Sequence, residues 1–179
     1  MKRLNFEFKA RLKNERGVRE ALKKLRARFI GTDHQIDTYF RVPSGRLKVR
    51  EGRLENALIF YRRSNLRRAR QARVEMVLLP PRNSLRAILA RSLGTLAVVD
   101  KRREIYFVKN VKIHLDRVRR LGKFLEVEAI SRSGDMKKIR SQARQFQKLF
   151  GITTKDIVAE SYSDLILAKS AGMGGKGSS

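Results

Sequence analysis

Along residues 4–12 apolar and polar side chains alternate without a break. Leu4, Phe6, Phe8, Ala10 and Leu12 fall on one face of an extended chain, and Asn5, Glu7, Lys9 and Arg11 on the other. The same period of two marks strands at 34–42, 46–51, 56–63, about 71–79, roughly 96–108, 111–117 and 123–130. Pro43-Ser44-Gly45 turns the chain between two of them, and Lys109-Asn110 turns it between two more. Three- and four-residue spacing predicts a helix over 15–30, with Val18, Leu22, Leu25 and Phe29 on its apolar stripe, Asn14 as cap and Gly31 as stop. A short helix follows Asn83 and Ser84, a longer one occupies 135–150, and one last short element falls within 152–170. About eight strands with few helices imply an α+β fold, an antiparallel eight-stranded closed or nearly closed β-barrel with flanking helices. Residues 1–170 form a single domain, and 171–179 a flexible Gly/Ser tail.

Composition narrows the partners. Lys and Arg number 43 against 17 Asp and Glu, for a net charge of +26. So much charge of one sign repels itself, and polyanions are its usual counterpart. There is no cysteine, which excludes disulfides, thiolate metal sites and a cysteine nucleophile. No run approaches the ~20 apolar residues that span a bilayer, and the first residues lack the apolar core of a secretory signal. A cytoplasmic or organellar-matrix location is expected, with no membrane partner.

Several strands share one oddity: a face that is apolar and a face that carries Lys, Arg or Glu. Glu7 and Lys9 lie on one strand, Lys48 and Arg50 on another, and Arg62 ends a third. Lys101 and Arg103 sit in mid-strand, Lys112 and Asp116 follow, and Glu126 with Glu128 completes the series. If these faces turn inward they make a lumen suited to a polyphosphate, with cations on its oxygens and carboxylates on a bridging divalent metal. If they turn outward they are ordinary solvated surface. Alternation alone does not choose.

Short strings favour the first arrangement. Asn5-Phe6-Glu7-Phe8-Lys9 resembles the Glu-x-Glu-x-Lys signature of the CYTH family, the triphosphate-tunnel fold of class IV adenylyl cyclases and thiamine triphosphatases. The resemblance continues through His34–Phe40, Gly45–Glu51, Asp100–Tyr106, Ile113–Asp116, Leu121–Glu128 and Ser161–Leu165, in family order over roughly residues 4–167. It implies that Lys9, Lys48, Arg50, Arg62, Lys101, Arg103 and Lys112 hold phosphate oxygens. It implies that Glu7, Glu126 and Glu128, with Asp116 as a further candidate, lie on the metal side, which would take Mg²⁺ or Mn²⁺. Two departures stand out. Asn5 replaces the first glutamate, so an amide oxygen without charge stands where a carboxylate is expected. Arg68–Arg73 replaces the usual Gly-Pro-Lys-x-Ser loop. His34 and His114 are single histidines in strands and are expected to be structural.

A tunnel accounts for only part of the basicity. Between Glu55 and Asp100 the only acid is Glu75, and Arg63, Arg67, Arg68, Arg70 and Arg73 crowd one stretch. Arg117, Arg119 and Arg120 surround a turn, while Lys137, Lys138, Arg140 and Arg144 project from the helix at 135–150. Solvated helix faces normally mix signs. The leading expectation is therefore an RNA-binding protein on a CYTH fold, a ribosome component or associate that grips rRNA backbone and neighbouring ribosomal proteins and needs no cofactor. The alternative is an active metal-dependent enzyme that binds a triphosphate and processes it, as an adenylyl cyclase or a thiamine or inorganic triphosphatase.

Overall fold

The computed structural model describes residues 2–63, 70–131 and 135–173; of positions 2–4, 63, 70–73 and 173 only the backbone is described. Its elements run β1 (Lys2–Arg11), α1 (Glu15–Lys24), β2 (Arg28–Phe40), β3 (Arg46–Glu51), β4 (Ala57–Arg63), β5 (Arg70–Leu78), α2 (Leu85–Leu93), β6 (Thr95–Val108), β7 (Val111–Val118), β8 (Gly122–Ser131), α3 (Met136–Leu149) and α4 (Tyr162–Met173). The strands close into an antiparallel barrel in the order β1-β5-β4-β3-β2-β6-β7-β8, with β1 pairing back to β8. Closure leaves no unpaired edge for another chain to extend.

The barrel is inverted relative to one filled by apolar side chains. Phe6, Phe8 and Ala10 of β1, Val111, Ile113 and Leu115 of β7, and Leu125, Val127 and Ala129 of β8 face outward. There they pack under Val18 and Leu22 of α1 and under Ile139 and Ala143 of α3. Each such large side chain, fully buried, contributes roughly 1.5–3 kcal/mol. Strand alternation then forces the intervening polar residues into the lumen. Both helices are capped as their sequences indicate: Asn14 accepts from the Gly17 amide, and Asp135 from the Lys138 amide.

Three boundaries differ from the sequence expectation. The first helix ends at Lys24, because Arg26 adopts a φ of 50° and the Ala27 amide donates to the Leu22 carbonyl. Phe29 therefore belongs to β2, where its ring lies 5.0 Å from that of Tyr106 on β6. Gly31, with φ 145°, sits at a register shift within β2 and does not stop a helix. At the other end, α4 continues through Met173, past the start of the expected tail. The Lys109-Asn110 turn forms as anticipated, with Lys109 at φ 53°. No helix among the described residues is long and apolar enough to cross a membrane.

Candidate active site

The lumen is a cavity of about 890 Å³ with three chemically distinct walls. The first is organised by Asp37 of β2. Its register opposite Arg50 on β3 points its carboxylate into the barrel. Arg50 grips both oxygens, Nε at 2.8 Å from Oδ1 and Nη2 at 3.0 Å from Oδ2. Lys48 Nζ at 2.7 Å and Lys101 Nζ at 2.6 Å donate to Oδ2 as well. Burial pushes the Asp37 carboxyl upward, but the three cations outweigh it and hold the group well below the usual range. For Lys101 burial wins: reinforced by repulsion from Arg50, Arg103 and Lys48, it overcomes the pull of Asp37 and brings the ammonium down to about 7. Beside this group, Glu55 accepts from Arg50 Nη1 at 2.9 Å and from Lys112 Nζ. Four cations thus face two carboxylates.

Further round the lumen, toward β8 and β1, the balance reverses. Arg103 of β6 holds Asp116 of β7, Nε at 2.7 Å from Oδ1, and reaches Glu126 Oε2 of β8 through Nη2 at 2.6 Å. Burial raises the Glu126 carboxyl, and Arg103 more than offsets it, leaving the group ionised well below its ordinary value. His114, 1% exposed, sits opposite Glu126 in the β7–β8 ladder. Its Nδ1 lies 3.7 Å from Glu126 Oε2 and 3.8 Å from Glu128 Oε1, and neither ring nitrogen has a hydrogen-bond partner among the described residues. Burial, with Arg103 nearby, depresses its pKa below the usual imidazole value. Each buried nitrogen left unpaired costs about 1–3 kcal/mol. Asn5, also 1% exposed, lines the same lumen, and its Oδ1 has no hydrogen-bond partner among the described residues. Glu7 of β1 stands opposite Glu128 in the β1–β8 ladder. Lys9 donates to the Glu160 carbonyl, with its Nζ 4.4 Å from the centre of the Tyr162 ring. Here Lys9 and Arg103 face Glu7, Asp116, Glu126 and Glu128.

The third wall is apolar: Ala57, Ile59 and Tyr61 of β4, with Val74 and Met76 of β5. Nothing in the charged pattern announced it. The alternation within β4 fixes it, because Leu58, Phe60 and Arg62 take the opposite face.

The barrel gathers Glu7, Lys9, Lys48, Arg50, Lys101, Arg103, Lys112, Glu126 and Glu128 around one lumen. Two expected members stand apart. Arg62 is exposed outside the barrel, donating to Ser44 Oγ at 3.1 Å, since its neighbour Tyr61 takes the inward register. Asp116 is buried but committed: Arg103 occupies both its oxygens and the Tyr162 hydroxyl donates to Oδ2 at 2.8 Å, so it braces Arg103 and is not part of the His114–Glu126–Glu128 cluster. Sequence reasoning missed Asp37 and Glu55 as site residues and took His114 as structural. Asp37 lies within the His34–Phe40 string, and alternation with the buried Thr38 and Phe40 was the available signal. His34, by contrast, is exposed and pairs with Asp100 at 2.7 Å outside the lumen.

Among the expected RNA contacts, Arg117, Arg119, Arg120, Lys137, Lys138, Arg140 and Arg144 are exposed. Arg117 and Arg119 are drawn to Glu15 and Asp100. Arg67 and Arg68 lie outside the described residues, and the side chains of Arg63, Arg70 and Arg73 do as well.

Comparison with known proteins agrees with this architecture. The family profile described as CYTH domain matches residues 3–162. A Methanocaldococcus jannaschii protein, provisionally named an adenylate cyclase, is 28% identical over 173 residues, covering 90% of this chain and 98% of the relative. A solved Pyrococcus horikoshii protein superimposes with a TM-score of 0.77 at 24% identity, covering 90% of this chain and 98% of its own. A Vibrio parahaemolyticus structure, provisionally titled an adenylate cyclase, gives 0.75 at 19% identity over 92% and 98% of the two chains. At these identities the solved structures establish the fold.

Proposed function

The chain belongs to the CYTH domain family, and from that premise we propose that its tunnel processes an organic triphosphate with the help of a divalent cation. The observation that carries this reading is the division of one lumen into a cation-rich wall and a carboxylate-rich wall. Lys48, Arg50, Lys101 and Lys112 are spaced to take phosphate oxygens in place of Asp37 and Glu55. Asp37 fixes the first three in position, so little reorganisation is needed when a polyphosphate arrives.

A divalent cation fits the carboxylate-rich wall. Asn5 Oδ1 and the His114 nitrogens, without a hydrogen-bond partner among the described residues, lie in the same lumen as Glu7, Glu126 and Glu128. Glu7, Glu126 and Glu128 would hold it, and when bound it supplies charge neutralisation at the reacting phosphate. Arg103, braced by Asp116, orients Glu126. Lys9, held by the Glu160 carbonyl, stands opposite Glu126 in the β1–β8 ladder and can steady a phosphate oxygen beside the ion.

The apolar wall favours an organic triphosphate over an inorganic one. A cavity of about 890 Å³ is within the ~300–1,000 Å³ of small-molecule sites, and Ile59, Tyr61 and Met76 offer an organic group a surface that bare phosphate cannot use. The names of the relatives make ATP the first substrate to try. Purified protein should be incubated with ATP, thiamine triphosphate and inorganic triphosphate, each with Mg²⁺ or Mn²⁺, and the products separated by chromatography. Turnover of an organic triphosphate supports the reading; inertness toward all three with both metals overturns it.

A second reading rests on α3. Lys137, Lys138, Arg140, Arg144 and Lys148 are exposed on a helix that contains no acidic residue. On this reading the outer surface binds RNA backbone, as a ribosome-associated protein would. Sedimentation of lysate at low and at about 0.5 M salt tests it, since phosphate contacts weaken steeply with salt. Migration at the top of the gradient even at low salt removes this reading.

A further inference from the structure

We infer that the divalent-cation site of this chain is a mixed nitrogen–oxygen site, in which His114 Nδ1 binds the ion directly beside Glu126 and Glu128, and that it prefers Mn²⁺ to Mg²⁺. The inference rests on the proposed reading in one respect, that the carboxylate wall takes a cation.

The geometry of His114 carries it. Its Nδ1 is 3.7 Å and 3.8 Å from the nearest oxygens of Glu126 and Glu128. Those distances are too long for hydrogen bonds. They match the separation of two ligands on one ion, roughly 3–4 Å for metal–ligand bonds of ~2.0–2.2 Å. The three ligand atoms all lie within 4.8 Å of one another. The ladder fixes this arrangement, because His114 is directly opposite Glu126, and Lys112 directly opposite Glu128. No described residue of the barrel satisfies either ring nitrogen. A histidine held only for packing would normally find a partner for at least one. Here Nδ1 faces two carboxylates at distances that an ion between them would bridge.

The preference follows from the donors. Mg²⁺ binds through oxygen and charge and gives up its waters reluctantly. Asn5 puts an uncharged amide where a carboxylate would stand, and His114 adds a nitrogen donor, so the set is less suited to Mg²⁺ than an all-carboxylate one. Nitrogen ligation strengthens binding of transition ions. The three glutamates keep the set oxygen-rich, which suits Mn²⁺.

The test is Mn²⁺ binding to the full chain without nucleotide, followed by electron paramagnetic resonance, with Mg²⁺ as competitor. Mn²⁺ should bind at least about tenfold more tightly than Mg²⁺, and the electron spin echo should show modulation from a directly bound ¹⁴N. His114→Asp should abolish that modulation and bring the two affinities within about threefold, with circular dichroism confirming the fold. If the variant does not fold, the wild-type echo decides alone. Absence of nitrogen modulation in wild-type protein that binds Mn²⁺ overturns the inference, as does an unchanged Mn²⁺/Mg²⁺ ratio in folded His114→Asp. Nitrogen modulation without turnover of any triphosphate upholds it while removing the enzymatic reading. Turnover without nitrogen modulation does the reverse.

Discussion

Lys101 and Asp37 meet at 2.6 Å inside the barrel, with neither side chain more than 1% exposed. The same carboxylate oxygen also accepts from Lys48 at 2.7 Å. One anion therefore restrains three buried cations, Arg50 included, and the positive wall exists only because Asp37 holds it together.

Removing that anion should be costly. Asp37→Asn leaves Lys48, Arg50 and Lys101 facing one another in a desolvated space, which should destabilise the fold by about 3–5 kcal/mol. Inorganic triphosphate, by supplying the missing charge, should recover much of the loss. Thermal unfolding of wild type and variant, each with and without triphosphate, checks this. Equal stabilisation of both proteins by the ligand contradicts it.

Lys101 gives the site a pH signature. In the folded chain its ammonium is brought down to about 7, against 10.5 for the unfolded chain. Between those values the unfolded chain binds the extra proton, so the contribution of Lys101 to stability rises with pH across the window and is constant, at its least favourable, below it. Phosphate oxygens favour the ammonium, so binding of triphosphate at pH 8 should take up roughly one half to one proton, and near pH 6 almost none. Calorimetry in buffers of different ionisation heat measures the uptake, and Lys101→Met should eliminate it. No uptake at pH 8 contradicts the assignment.

The inward and outward registers can be separated by activity. Lys112→Ala removes a lumen cation and should lower kcat/KM by about 10²-fold. Arg62→Ala changes a side chain outside the barrel and should stay within about twofold of wild type, as surface substitutions usually do. Steady-state kinetics with the same triphosphate decides; equal losses in both variants would place Arg62 in the site after all.

The apolar wall makes a claim about selectivity. Tyr61→Ala should raise KM for an organic triphosphate by roughly tenfold, about 1.4 kcal/mol of lost contact. Any turnover of inorganic triphosphate should be unchanged, because it has nothing to lay against Ile59, Tyr61 and Met76. A parallel loss on both substrates contradicts the role given to this wall.

How much of this was legible beforehand depends on what alternation can convey. The period of two in Leu4–Leu12 specifies a half-apolar strand, and eight such stretches gave the barrel. Alternation cannot tell the lumen from the outside, because either face of a closed sheet can be the covered one. The apolar stripes of α1 and α3 settle the matter: Val18, Leu22, Ile139 and Ala143 need an apolar sheet beneath them, so the charged faces must turn in. Helix ends were less legible, since the turn at Arg26 depends on backbone hydrogen bonds that a run of Lys, Leu and Arg does not announce. Among site residues the cations were readable as cations. Asp37 and Glu55 were not, because their importance lies in the cations that converge on them, three on Asp37 and two on Glu55, and those arrive from β3, β6 and β7. The surroundings of His114 were hidden for the same reason: as a lone histidine in a strand it shows no cluster in sequence, and Glu126 and Glu128 arrive from the adjacent strand.

The most direct measurement of the central claim is the rate at which purified protein consumes ATP with Mn²⁺, compared with that of Glu126→Ala. Glu126 is the residue where Arg103, His114 and the carboxylate wall converge. Metal-dependent consumption by wild type, reduced by at least about 10²-fold in the variant, is the result this account predicts. Consumption that is indifferent to metal or unchanged in Glu126→Ala, or no consumption by a correctly folded wild type, would contradict it.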